Sequence, residues 1–312
     1  MKKFVLFLLF THFSIHAQEY KKSYFSKTFT LASTVLNTSI KTIPSDFVYM
    51  RKNVSEDWKR SATYLGIVAG LMLFDKPITE LYQQEIETRI DYKLPAFHFK
   101  IFDGSPIFWL RNNNAYMSYP SALLYLGSLL TGYEKGQYTA INSFKAVLYS
   151  TLITQVVLKT IIGRTRPFPD LENKTIVSST NIDEKYFTDD PYDFFNSRGG
   201  KYILSSPRGS ALPSLHATAF FAMAKVYQME FDNYWIPYGF MAGVFLADIK
   251  SHRHWISDMV AGGIIGTVIG RSVVKSSWRA RGILPNKEKS ITINWTPSIS
   301  TRYSGINLLA TF

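Results

Sequence analysis

The 312-residue sequence contains no cysteine. That absence excludes disulfide frameworks, thiolate metal sites, cysteine nucleophiles and thiol redox chemistry together. Charge is sparse, at 19% against 46% hydrophobic residues, which excludes a disordered or collagen-like chain. Acid is scarcer than base: Asp and Glu total 23 and Lys and Arg 35, a formal charge of +12. No Lys/Arg stripe, zinc-finger spacing or other nucleic-acid motif accompanies the excess. An anionic small substrate or an acidic lipid headgroup therefore suits it better than nucleic acid. Internal repeats are absent. Long apolar runs are scarce as well: counted between charges, 61–74 gives 14 residues, 146–158 gives 13, 209–224 gives 16, 233–247 gives 15 and 259–270 gives 12, where a membrane span needs roughly 20. Only 112–133 is longer, and its first half is rich in Asn.

What is present begins with an export signal. Met1-Lys2-Lys3 precedes the apolar run Phe4–Phe10 and a short polar stretch ending in His16-Ala17. That order predicts a signal peptide over 1–17, with an uncleaved anchor helix as the alternative; both send the chain out of the cytoplasm. Residues 18–60 form a polar, partly helical leader. From 61 to 276, apolar blocks of helical length predict an all-α, multi-helix bundle. The blocks are Tyr64–Phe74, Tyr119–Leu130, Ala146–Ile162, Ala211–Ala224, Tyr234–Ala247 and Met259–Val274. Within this domain, 168–207 reads as a loop insertion, marked by Pro169, Pro191 and Gly199-Gly200. The extension 277–312 alternates apolar and polar residues (Ile291, Ile293, Trp295; Ile306, Leu308, Ala310, Phe312), which predicts a β-hairpin.

Two readings of the bundle stay open, a membrane-embedded core and a membrane-associated soluble one. The block lengths favour the second. Gly262, Gly266 and Gly270, spaced as in close-packed membrane helices, favour the first together with the basic stretch from Arg271 to Lys289. If every block crossed a membrane, a chain starting outside would place the first polar motif in the cytoplasm.

Three short segments hold the chemistry. Lys159 and Arg166 are seven residues apart, so on one helix stopped by Pro167 they stand on nearly one face, and crowded cations repel unless an anion sits among them. Pro213-Ser214-Leu215-His216 opens an apolar run, and a helix start offers free N–H groups and the positive dipole end to phosphate. His254 and Asp258, at i and i+4, share a helix face. The carboxylate can then hold imidazole Nδ1–H and leave Nε2 as a nucleophile. Alone, each has an ordinary structural reading: a basic helix end, an N-cap, a His/Asp pair. Zinc is poorly served, since His252 and His254 lack the helical ligand spacing and no acidic cluster completes a site. Together the segments supply the parts of one phosphoryl-transfer site.

The three segments resemble, in order, the motifs of the type 2 phosphatidic acid phosphatase superfamily, which includes bacterial class A acid phosphatases and vanadium haloperoxidases. Lys159, Arg166 and Pro167 match the first motif. The second reads Pro213-Ser214-Leu215-His216, with Leu in the Gly position. The third retains His254 and Asp258, but Ala247 and Asp248 stand where Ser-Arg is expected. The resemblance implies a helical bundle that hydrolyses phosphate monoesters, often of lipids, with no metal or other cofactor. It implies His254 as the nucleophile, oriented by Asp258, with His216 as acid and base. Lys159, Arg166, Ser214 and the backbone at Leu215 would hold the phosphate oxygens. Losing the second Arg removes a cation that Arg164, Arg253 or Lys250 would have to replace, and Asp248 would repel phosphate if it pointed inward.

The sequence thus predicts an exported phosphatase of the periplasm or cell-envelope membrane, with its site on the outer face. It would act on a phosphorylated small molecule or lipid at a membrane or membrane surface. The alternatives are a catalytically silent envelope protein that keeps the bundle for binding or assembly and, more remotely, a vanadate-dependent haloperoxidase.

Overall fold

The computed structural model describes residues 18–91, 116–175, 186–196, 210–249, 253–283, 292–299 and 304–311, with side chains given for 27–91 and onward to 283, apart from 247–249. The expected signal peptide, most of 168–207 and Lys250 lie outside the described residues, as does the Asp248 side chain.

Nine helices are described: α1 (Gln18–Lys41), α2 (Ile43–Ser55), α3 (Trp58–Leu73), α4 (Asp75–Leu81), α5 (Tyr119–Thr131), α6 (Glu134–Ser150), α7 (Leu215–Phe231), α8 (Trp235–Ile249) and α9 (Ile256–Ala280). Helix α6 continues through a π turn, Thr151–Leu158, to Ile162. The fold is all-α, as expected, and the polar leader is itself helical. Each apolar block marks a helix, but the helices run past it wherever polar residues keep the helical period on an exposed or hydrogen-bonded face. Helix α6 begins at Glu134, for instance, twelve residues before the block that announced it.

Helix α7 lies at the centre. Ala217, Ala219, Ala222 and Ala224 are buried around its circumference, as a helix enclosed by neighbours requires. Its Phe220 and Met223 join Val147 of α6 and Met241 and Val244 of α8 in the main core. A smaller core joins Leu171, Ala211 and Trp255, the last two beside the second and third motifs.

Helix α9 packs on α7 backbone to backbone. A Cβ on Gly262, Gly266 or Gly270 would meet the carbonyl oxygen of Ser214, Thr218 or Ala222 at under 3.0 Å. The four-residue glycine ladder is therefore matched rung for rung by small residues on α7.

Other faces stay apolar and uncovered. Helix α3 buries no residue, and Leu65, Leu123, Leu130, Trp235 and Ile236 are each at least 70% exposed. Helices Glu134–Ile162 and Ile256–Ala280 are long and apolar enough to cross a membrane.

By contacts, Trp278–Phe312 forms a second unit. It contains the expected hairpin, β3 (Thr292–Ile299) antiparallel to β4 (Ser304–Thr311). The alternating apolar residues face one another in the register: Ile293 opposite Ala310, Trp295 opposite Leu308.

Candidate functional site

The first motif is not one helix. Gly163, at φ 56°, caps the helix in the left-handed conformation, and the chain turns four residues before Pro167. Lys159 ends up in the last helical turn, while Arg166 lies on β1 (Arg166–Pro167), paired in parallel with β2 (Phe187–Thr188). The correction follows from Gly163, which ends the helix before the face shared at a seven-residue spacing can form. The two cations still interact. Burial pushes the Lys159 ammonium well below its usual value, the charge of Arg166 pushes it the same way, and Asp258 opposes both.

The second motif caps α7. Ser214 is the N-cap and its Oγ accepts from Ala217 N at 3.4 Å. Leu215 and His216 occupy the first turn and are buried, and the His216 ring lies 6.3 Å from that of Phe220.

The third motif straddles the start of α9. His254 lies before the helix and Asp258 in its first turn. The Asp258 carboxylate accepts from Trp255 N at 3.0 Å, a reciprocal cap, and this brings it back toward the imidazole. His254 Nδ1 lies 3.6 Å from Asp258 Oδ2, within ion-pair range, and His254 Nε2 lies 3.2 Å from Arg166 Nη1. A guanidinium can only donate, so this contact favours the tautomer with the lone pair on Nε2 and the proton on Nδ1, the nitrogen nearer the carboxylate. The i, i+4 spacing was the right signal, realised by a capping turn. Burial pushes the Asp258 carboxyl up from its usual value, while Arg164, the Trp255 N–H and Arg166 pull it down.

Hydrogen bonds to backbone oxygens help to hold the motifs together. Ala211 N donates to Arg164 O at 2.8 Å, Ser214 N to Asp258 O at 3.0 Å, and Trp255 Nε1 to Thr165 O at 3.0 Å. The structure thus gathers Lys159, Arg166, Ser214, His254 and Asp258, with Leu215 and His216 beside Ser214.

Of the expected substitute cations, Arg164 is committed elsewhere. It is fully buried and pairs with Asp75 at 2.6 Å and Asp258 at 2.7 Å. It also donates to Ser257 Oγ and Pro191 O, and its guanidinium lies over the rings of Phe194 and Trp255 at 5.1 and 5.3 Å. With its donors occupied by two carboxylates, a hydroxyl and a carbonyl, it is a framework residue and not a phosphate ligand. Arg253 sits over the Phe187 ring at 5.2 Å, beside the strand that carries Arg166, and its backbone oxygen accepts from Arg166. Burial lowers the affinity of its guanidinium for the proton, and Glu87 opposes this.

Sequence reasoning missed Asp75, which bonds to Arg164 and to Ser257 N at 2.9 Å. Its only local signal is an acid directly after an apolar run, Phe74-Asp75-Lys76-Pro77, a common helix start.

Comparisons with curated proteins and with solved structures each returned no match. One family model matches, that of the PAP2 superfamily, over residues 141–281. The matched stretch contains all three motifs and helices α7, α8 and α9, with most of α6, so the similarity to the PAP2 superfamily covers the part of the chain that builds the site.

Proposed function

We propose that this protein is an exported phosphatase that hydrolyses phosphate monoesters or pyrophosphates, with lipid headgroups as the preferred substrate class, through a phosphohistidine on His254. The superfamily generally comprises phosphatases acting on phosphorylated substrates, often lipids. The observation that carries the reading is the pair of contacts on one imidazole: Asp258 at Nδ1 and the Arg166 guanidinium at Nε2.

The roles follow from the chemistry. Nε2 attacks phosphorus, the N–P bond forms as the ester P–O bond breaks, and the leaving oxygen takes a proton from His216. Asp258 stabilises the imidazolium that forms. Water then attacks phosphorus, giving a proton to His216, and the N–P bond breaks to release phosphate. Lys159, Arg166 and the N-terminal end of α7 at Ser214 hold the oxygens whose charge grows in transit. No step needs a metal. The exposed apolar faces of α3, α5 and α8 suit work at a lipid surface, and the predicted export signal puts that surface on the outer side of the cell-envelope membrane.

The test is phosphate release from phosphatidic acid, a prenyl pyrophosphate and p-nitrophenyl phosphate, with EDTA present, by the wild type and His254→Ala. Release that falls by at least about a thousandfold in the variant is expected. A folded wild type that releases phosphate from none of them sinks the proposal and leaves the silent envelope protein as the better reading.

A further inference from the structure

The buried cluster behind the imidazole contains two carboxylates and one guanidinium. Asp75 and Asp258 are each 0% exposed, and Arg164 divides its two terminal nitrogens between them, Nη2 to Asp75 at 2.6 Å and Nη1 to Asp258 at 2.7 Å. Ser257 joins the same cluster: its Oγ accepts from Arg164 Nη1 at 2.8 Å and donates to Asp75. The remaining Asp75 oxygen accepts from Ser257 N at 2.9 Å, so a residue 182 positions earlier caps the first turn of α9 alongside Asp258. Asp75 also lies outside the 141–281 stretch that matches the PAP2 superfamily.

The charge count gives this arrangement a consequence. Arg164 and Asp258 alone would form a neutral buried pair with little pull on a neighbouring imidazolium. With Asp75 present, one negative charge of the cluster is left over. Asp258 Oδ2, the oxygen that Arg164 does not hold, is the one 3.6 Å from His254 Nδ1. Among the described residues, Arg166 at Nε2 of His254 places a positive charge there, and Lys159, beside Arg166 and Asp258, adds a second whenever it is protonated. Uncompensated, they would disfavour a positive imidazole.

We infer that Asp75 is a positioning residue: it neutralises Arg164 and caps α9, so that Asp258 stays oriented toward His254 with its charge available to the imidazolium. The catalytic consequence rests on the phosphohistidine reading; the electrostatic one does not.

The test therefore reads His254 directly. In full-length protein labelled with 15N-histidine, the imidazole that disappears in His254→Gln is titrated by NMR in the wild type, Asp75→Asn and Arg164→Gln. Removing the Asp75 charge should lower the pKa of His254 by about one unit, and removing the Arg164 charge should raise it. The double variant should return it close to the wild-type value. In the phosphatase assay, Asp75→Asn should lower kcat at least about tenfold with KM within about twofold. An unmoved His254 titration in folded Asp75→Asn, or shifts of the same sign in both single variants, overturns the inference and leaves Asp75 a structural cap. If Asp75→Asn does not fold, the upward shift in Arg164→Gln decides alone, and its absence overturns the inference. A shift of the predicted sign in a wild type that releases no phosphate upholds it while removing the phosphatase reading.

Discussion

Lys159 is an ammonium buried beside a guanidinium, with 2% of its surface exposed. Burial and the charge of Arg166 both weaken its hold on the proton, and an anion placed between the two cations restores it. Anion binding should therefore draw in a proton and weaken as pH rises. Sulfate, whose own charge is fixed at these pH values, isolates the effect. Calorimetric titration in buffers of different ionisation enthalpy should give a buffer-dependent apparent enthalpy for the wild type and a buffer-independent one for Lys159→Met. Equal buffer dependence in both would show that Lys159 does not meet the anion. Arg166 contacts His254 Nε2 itself. Arg166→Lys keeps the charge but loses the planar fork, and a loss of at least about tenfold in kcat/KM is expected.

The two helices that carry the second and third motifs are held by the glycine ladder of α9. Gly266 is its tightest rung, since an added Cβ would collide with backbone at Thr218. Backbone cannot rotate away as a side chain can, so Gly266→Ala should cost about 2–4 kcal/mol of stability. It should also lower kcat, because the bond from Ser214 N to Asp258 O links the same two helices at the site end. Thermal unfolding and steady-state kinetics of one variant measure both effects. At this scale much was legible. Every apolar block yielded a helix by its length and composition, whether buried as in α7 or exposed as in α3, and the period-two tail became a hairpin. Helix ends were less legible. Gly163 ended the first motif's helix early, and the start of α9 was fixed by an Asp258 cap that joins residues across a non-helical step. Asp75 was beyond reach, because its partners are defined by three-dimensional packing between segments 89 and 182 residues apart.

The whole molecule extends the stretch similar to the PAP2 superfamily on its N-terminal side. Helices α1 and α2 dock through a buried pair, Lys145 of α6 with Asp46 of α2 at 2.6 Å, and Lys145 also bonds to Ser39 O and Thr42 Oγ1. Helix α4, which delivers Asp75, is tied to the insertion by Asp189, whose carboxylate meets both Lys76 and Lys174. The hydrogen bond from Lys174 is the main reason that the Asp189 carboxyl lies below its ordinary value of 3.8. A carboxyl lowered in the folded state stabilises above that ordinary value and loses its contribution as pH falls through the folded one. Asp189 is about one third exposed, so the contribution is screened and small. Asp189→Asn should therefore cost no more than about 1 kcal/mol near neutral pH. The cost should vanish in acid and shrink in high salt, as read by denaturant unfolding across pH. A cost that persists at low pH would point to packing in place of charge.

The claim on which these scales converge is that His254 becomes covalently phosphorylated. The most direct measurement is to quench the enzyme in alkali during turnover of a 32P-labelled monoester and map the label. The account predicts an alkali-stable, acid-labile phosphate on His254, absent from His254→Ala. Active enzyme that carries no label, or carries it on another residue, would contradict it.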